Sequence, residues 1–205
     1  MAAGPILHLI AGVNGAGKTS FYRYFLERMT PGAEFVNADE LARDRWPGHE
    51  DEHVAEAAGL AAARREELLD ARKTFVAETV FSHESKLELV EAAQRLGFRV
   101  FLYHVHVGSA ELARARIATR VDQGGHDVPG DKVEARYERT LRLIPRAASI
   151  ADMTSVFDNS GIAGTTHRHL MTMRSGRIVT LREPLPEWGE VAYRDALSAH
   201  RDEPP

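Results

Sequence analysis

The stretch that decides the reading is AGVNGAGKTSFY, Ala11 to Tyr22. Inside it, Gly12-Val13-Asn14-Gly15-Ala16-Gly17-Lys18-Thr19 fits G-x-x-x-x-G-K-[ST] at every position. A random chain of this length would match roughly 1% of the time. Context removes most of that chance. The run before it, PILHLIA (Pro5 to Ala11), is nearly all apolar, as a strand covered on both faces should be. The run after it reads as an amphipathic helix from Lys18 to Met29, with Phe21, Phe25 and Leu26 on one side. Glycines let a backbone wrap until several N–H groups face one anion, and a helix N-terminus adds its positive end. The pattern implies a nucleoside triphosphate, ATP, cradled by Gly12 to Ser20. Lys18 is a mobile charge for the outer phosphates, and the Thr19 hydroxyl is a ligand for Mg²⁺.

Outward from the loop, apolar strands alternate with helical stretches. Strands are expected at Glu34–Ala38, Thr74–Ala77, Arg99–Val107 and Thr154–Phe157. Helices are expected over Val54–Arg72, from a Ser82 cap to Leu96, from a Ser109 cap to Val121, and from Pro129 to Leu143, with Pro145 near its end. This alternation argues an α/β fold with a mostly parallel five-stranded sheet covered by helices on both faces. His167–Met173 and Arg177–Leu181 flank Arg174-Ser175-Gly176 as a hairpin, and a short helix near Trp188–His200 follows. The organisation expected is one domain over 1–205. A core spans 1–161 with a helical lid near 109–145, and 162–205 form a C-terminal extension.

Bulk composition sets limits. The 205 residues include 26 basic and 30 acidic side chains, a formal net charge of −4, which gives no nucleic-acid footprint. There is no cysteine, so disulfides, thiolate metal sites and thiol nucleophiles are excluded. No apolar run approaches a membrane span, and the start lacks a signal's basic segment. A cytoplasmic protein is expected.

Phosphoryl transfer needs a group for the acceptor hydroxyl and cations for the moving phosphoryl. Asp39 ends the second strand at the carboxyl edge, beside the loop, where a carboxylate can orient an alcohol; a helix N-cap is its other reading. Glu78 ends the third strand on the same edge, with Thr79 next to it, as a substrate or Mg²⁺-shell group. Arg114, Arg116, Arg120, Arg136, Arg139 and Arg142 straddle Gly124-Gly125-His126, where a closing lid would sit. N-K-x-D and L-S-G-G-Q-like signatures are absent, which argues against a GTPase or a transport ATPase. His104/His106 and His167/His169 read as strand histidines with local hydrogen bonds rather than metal ligands. Trp46 is a lesser candidate for the acceptor pocket, and Trp188 reads as a pin for the C-terminal segment.

Five blocks together resemble the zeta-toxin family of phosphate-loop kinases: AGVNGAGKTSFY, FVNADELAR, FVAETVFS, LGFRVFLYHVHVGSAELARARIATRVDQGGHDVP and VEARYERTLRLIPRAASIADMTSVFDNSG. The resemblance implies that Lys18 and Thr19 hold nucleotide and Mg²⁺, and that Asp39 is the base toward a sugar hydroxyl. Glu78 and Thr79 are implied on the substrate side, and Arg120 as the first of two lid arginines. His126 falls near the second, while Arg136 is placed to supply a guanidinium instead. The implied activity is ATP-dependent phosphorylation of UDP-N-acetylglucosamine at its amino-sugar 3′-hydroxyl, with a separate antitoxin chain as partner. A nucleoside, a polynucleotide end or a metabolite alcohol remains as another acceptor, and a nucleotide-dependent regulatory module as another class.

Overall fold

The computed structural model describes residues 4–122, 129–161 and 167–202. The first strand, β1 (Ile6–Ala11), runs into the glycine loop and then α1 (Lys18–Phe21). That helix continues through a π-helical stretch, Tyr22–Leu26, into α2 (Glu27–Met29). Then come β2 (Glu34–Val36), α3 (Ala38–Arg45), a 3₁₀ turn at Glu50–His53, α4 (Val54–Asp70), β3 (Phe75–Thr79) and α5 (Ser85–Arg95). The rest is β4 (Arg99–His106), α6 (Ala110–Asp122), α7 (Gly130–Ile150), β5 (Met153–Asp158), β6 (Arg168–Arg174), β7 (Arg177–Leu181), α8 (Glu187–Ala192) and α9 (Arg194–Asp202).

The strands form a seven-stranded sheet in the order β2-β3-β1-β4-β5-β6-β7. The first five are parallel, and the hairpin β6–β7 continues the same sheet antiparallel to β5. The expected extension therefore contributes two strands to the main sheet. Leu170, Met171 and Met173 of β6 are buried in the larger core, which makes the hairpin part of the packing. Connections leave β1 toward β2 and leave β4 toward β5, so they diverge to opposite sides of the sheet between the carboxyl ends of β1 and β4. Ligand crevices of open α/β sheets open at such a point.

Alternation along β1 splits the core in two. Leu7, Leu9 and Ala11 face α4, α5, α7 and the C-terminal helices. Ile10 faces the opposite side, with Phe21, Leu26, Ala113, Ile117 and Val133. Three local expectations change. The helix expected from a Ser82 cap begins at Ser85 with Glu84 at its N-cap. Pro145 lies inside α7, which runs on to Ile150. Buried Leu143, Ile144, Ala147 and Ala148 hold that helix against the core and outweigh an interior-proline cost of about 3 kcal/mol. Phe25 is 45% exposed rather than part of the core, although its ring still meets those of Phe21 and His167 at 5.5 and 5.6 Å.

Of the expected strand histidines only His169 bonds locally, while His104 and His167 bond to distant parts of the chain. His104 Nδ1 pairs with the Tyr193 hydroxyl at 2.8 Å, His167 Nε2 with the Gly17 carbonyl at 3.1 Å, and His169 Nε2 with the Thr172 hydroxyl at 2.9 Å. His106 departs further from the expectation. It is fully buried between the rings of Trp188 and Tyr137, and neither ring nitrogen has a hydrogen-bond partner among the described residues. Trp188 pins the C-terminal segment as expected, its Nε1 donating to Asp158 Oδ1 at 3.1 Å.

Burial pulls the His106 imidazole down from its ordinary 6.5 to about 3. Below pH 6.5 the unfolded chain takes up a proton that the folded chain refuses until about pH 3. Its contribution is therefore complete above pH 6.5 and declines as pH falls through that window. Urea unfolding at pH 7 and pH 5 is expected to show a wild-type loss exceeding that of His106→Leu by roughly 2 kcal/mol. Equal losses in the two proteins would remove His106 as the acid-sensitive group.

Candidate active site

Strand register assembles the site. In the β1–β3 pair, Ile10 lies opposite Glu78 and Ala11 opposite Thr79. In the β2–β3 pair, Val36 lies opposite Ala77. The residues just past these partners must therefore meet at one edge: the glycine loop after β1, Asn37 to Asp39 after β2, and Glu78 with Thr79 at the end of β3.

Two glycines in the loop are required by contact. A Cβ on Gly12 would lie 1.9 Å from the Val105 carbonyl oxygen of β4. On Gly15, whose φ is +77°, it would lie 2.5 Å from the Ala113 carbonyl oxygen of α6. Val13 and Ala16 are fully buried. Asn159, at the end of β5, donates from Nδ2 to the Ala16 carbonyl at 2.8 Å, and Arg136 of α7 donates from Nη1 to Asn14 Oδ1 at 3.0 Å. The loop is thus braced by side chains from β5 and α7 as well as by its own helix.

Glu78 is the hub. Its Oε2 accepts from the Thr19 hydroxyl at 2.8 Å and from Asn37 Nδ2 at 2.8 Å, and its Oε1 lies 3.6 Å from Lys18 Nζ. Lys18 also donates to the Val13 carbonyl at 3.2 Å and is nearly buried. Burial pushes the Glu78 carboxyl up from its ordinary value, and nearby Asp39 adds to that. The Lys18 ammonium and the Thr19 and Asn37 hydrogen bonds oppose the rise. Asn37 is a functional residue that sequence reasoning passed over. Its Oδ1 accepts from the backbone N–H of Asp39 and Glu40, at 2.7 and 3.2 Å, so Asn37 caps α3. Asp39 is neither a strand end nor a cap; it occupies the first turn of α3, with its carboxylate free to face the cavity beside it. The N-D spacing after a strand was the available signal, because asparagine is a strong N-cap.

Lys18, Asn14, Asn37, Asp39, Glu78, Thr79 and Arg136 line one cavity of about 270 Å³. Phe81 closes part of its wall with φ +60°, a left-handed backbone rare for a bulky residue, while its ring is fully buried. Such a conformation costs on the order of 1–3 kcal/mol and clusters at functional sites. Burial pulls the Arg136 guanidinium down from its ordinary value, as does Arg139, while Asp39 pulls it up. Arg120 stands in the last turn of α6, outside the cavity lining. His126 lies outside the described residues. Trp46 stays away from the cavity and stacks on His53 at 4.4 Å. Ser20 follows Thr19 on α1.

Residues 7–143 match the AAA domain family (AAA_33). The chain belongs to this family. Among solved structures, it is similar to a chain of the AvrRxo1-ORF1:-ORF2 crystal structure with ATP: TM-score 0.68, 16% identity, covering 95% of this chain and 64% of that one. It is also similar to a chain of the PezAT toxin–antitoxin system of Streptococcus pneumoniae, at TM-score 0.57 and 11% identity, covering 98% and 88%. A curated relative, an uncharacterized protein of Haemophilus influenzae, is 35% identical over 63 residues, 31% of this chain and 45% of the relative. The alignments therefore span less than two thirds of the AvrRxo1 and Haemophilus chains. These likenesses show a phosphate-loop, kinase-like α/β fold.

Replacing Asn37 by Ala removes both the α3 cap and a Glu78 hydrogen bond. Denaturant unfolding is expected to show a loss of about 2 kcal/mol, with Asn37→Ser recovering the cap portion of roughly 1 kcal/mol. A loss under 0.5 kcal/mol for the alanine variant would contradict the role of Asn37.

Proposed function

We propose that this chain is an ATP-dependent kinase that transfers a γ-phosphoryl group to an alcohol. One observation carries the reading: the phosphate-loop lysine, Lys18, and a carboxylate free to receive a proton, Asp39, line the same cavity. The glycine loop and the N-terminus of α1 take the phosphate chain. The Thr19 hydroxyl and Glu78 carboxylate offer hard oxygen donors 2.8 Å apart, which suits Mg²⁺. When bound, the ion would neutralise charge on the phosphates.

In the transfer, the acceptor oxygen attacks the γ-phosphorus and a new O–P bond forms. The bond from that phosphorus to the β–γ bridging oxygen breaks, and ADP leaves. The acceptor proton passes to Asp39. Lys18 and Arg136 offset the charge developing on the phosphoryl oxygens, and catalysis is positioning plus charge stabilisation. Arg136, already bonded to Asn14 of the loop, supplies the second cation in this reading. Arg120 reaches the phosphates when the helical pair α6–α7 closes as a lid over one kinase unit spanning the chain. UDP-N-acetylglucosamine is the acceptor favoured by the sequence resemblance, with a separate antitoxin chain and a cytoplasmic location as parts of that same reading. The PezAT likeness supports the fold of this proposal. Among the described residues, no helix is long and apolar enough to cross a membrane.

The test is transfer from labelled ATP–Mg²⁺ with UDP-N-acetylglucosamine and a panel of other alcohols, resolved by mass spectrometry. A product one phosphate heavier is expected, absent with Lys18→Ala. Asp39→Asn is expected to keep ATP affinity within about twofold while lowering kcat by 10²–10⁴, the usual contribution of a general base. Unchanged turnover in that variant would remove Asp39 as the base, and absence of transfer to every alcohol would sink the kinase reading.

A further inference from the structure

The cavity carries two cations that transfer of a phosphoryl group does not use. Ala58, Ala61 and Arg65 recur at i, i+3 and i+7 on α4 and form one stripe of its lining. The alanines add little side-chain bulk, and Arg65 is the one cation of that stripe. Arg65 is only 8% exposed; its guanidinium nitrogens keep some contact with solvent, and no hydrogen bond or ion pair joins them to a described residue. Its one acidic influence is its chain neighbour Glu66, while burial pulls its guanidinium down. Lys86, in the first turn of α5, lines the same cavity, is half-buried, and likewise has no acidic partner among the described residues. Burial and the nearby Arg65 charge both pull the Lys86 ammonium down.

Buried charges in folded chains are normally paired, since an unpaired one costs several kcal/mol. Here two like charges share one cavity wall. The charges also divide into two sets. Glu78 feels Lys18 and Asp39, and Arg136 feels Asp39 and Arg139. Lys86 feels Arg65, and both line the other part of the cavity. One set surrounds the position of transfer; the other is a separate electropositive wall with Ser82 and His83 beside it.

We propose that Arg65 and Lys86 form an anion subsite for the acceptor, and that the acceptor is an alcohol carrying a phosphate group. This rests on reading the cavity as the acceptor site. An arginine fork beside a lysine point charge matches a phosphate's several oxygens and its charge near −2. The anion would anchor one end of the acceptor against α4 and α5, and leave its hydroxyl to Asp39 at the other.

The experiment loads the protein with Mg²⁺ and a non-hydrolysable ATP analogue, so that the phosphate loop is filled, and then titrates inorganic phosphate by calorimetry. Saturable binding of one phosphate is expected. Arg65→Gln and Lys86→Gln are each expected to weaken it at least tenfold while moving the analogue's affinity less than twofold. Lys86→Gln keeps the test decisive if the buried Arg65 variant does not fold. No phosphate binding to the loaded protein, or equal affinity in the variants, overturns the subsite. Succinate binding as tightly as phosphate overturns the phosphate assignment. Failure of the analogue to bind wild type would instead sink the kinase reading. Phosphate binding that is sensitive to Arg65→Gln but not to Lys18→Ala would then uphold the anion site on its own.

Discussion

The parallel pairing of β1 with β3 brings Glu78 beside the glycine loop, and the rest of the site depends on that one register. A shift of one residue would send Glu78 to the other face of the sheet. A carboxylate at this depth needs compensation, and it receives three partners: the Thr19 hydroxyl, the Asn37 amide and the Lys18 ammonium. The partners come from two places in the chain, Lys18 and Thr19 from α1 and Asn37 from the entry to α3. Glu78 therefore fixes the first turn of α1, the entry to α3 and the end of β3 relative to one another. The same amide side chain that donates to Glu78 accepts from the backbone of Asp39. The position of the proposed base is tied through Asn37 to the proposed Mg²⁺ ligand pair.

A second frame holds the loop from the other side. Gly12 and Gly15 approach β4 and α6 so closely that no side chain fits between them. Asn159 and Arg136 then bond the loop from β5 and α7. A phosphate cradle works when its N–H groups are already aimed, because reorganisation would consume binding energy. Here the aiming is done by elements that span the sheet from β3 to β5.

Much of this was legible in the sequence, and what was not has definable causes. The glycine loop, Glu78 and Thr79 were visible because strand ends are marked by the change from apolar to polar residues; Asp39 was picked out by the same change but lies in the first turn of α3. Asn37 was overlooked because a cap residue and a strand end look alike until the first helical turn is located. The hairpin was readable from Arg174-Ser175-Gly176, but its attachment to β5 was not, since the pairing partner of a strand leaves no mark in its own periodicity. The cap of α5 was misplaced by two residues, Ser82 for Glu84, because the strained turn at Phe81 intervenes and a phenylalanine gives no signal of positive φ. Arg65 was hidden most completely. An arginine in an Arg-, Glu- and Ala-rich helix looks solvated, and only the packing of α4 against the cavity shows that it is buried.

Charge distribution gives the last constraint. The chain as a whole is acidic, with a formal net charge of −4. Its cavity is the reverse: Lys18, Arg65, Lys86 and Arg136 line it against two carboxylates, Asp39 and Glu78. Low-dielectric walls concentrate the field of such a set toward its mouth and raise the local concentration of anions. A nucleic-acid track would instead spread its cations along an exposed groove, one for each phosphate contacted. Cations gathered within about 270 Å³ suit compact anions. An acidic exterior around a cationic cavity therefore favours a small, negatively charged acceptor meeting a nucleotide over a polymer passing across the surface.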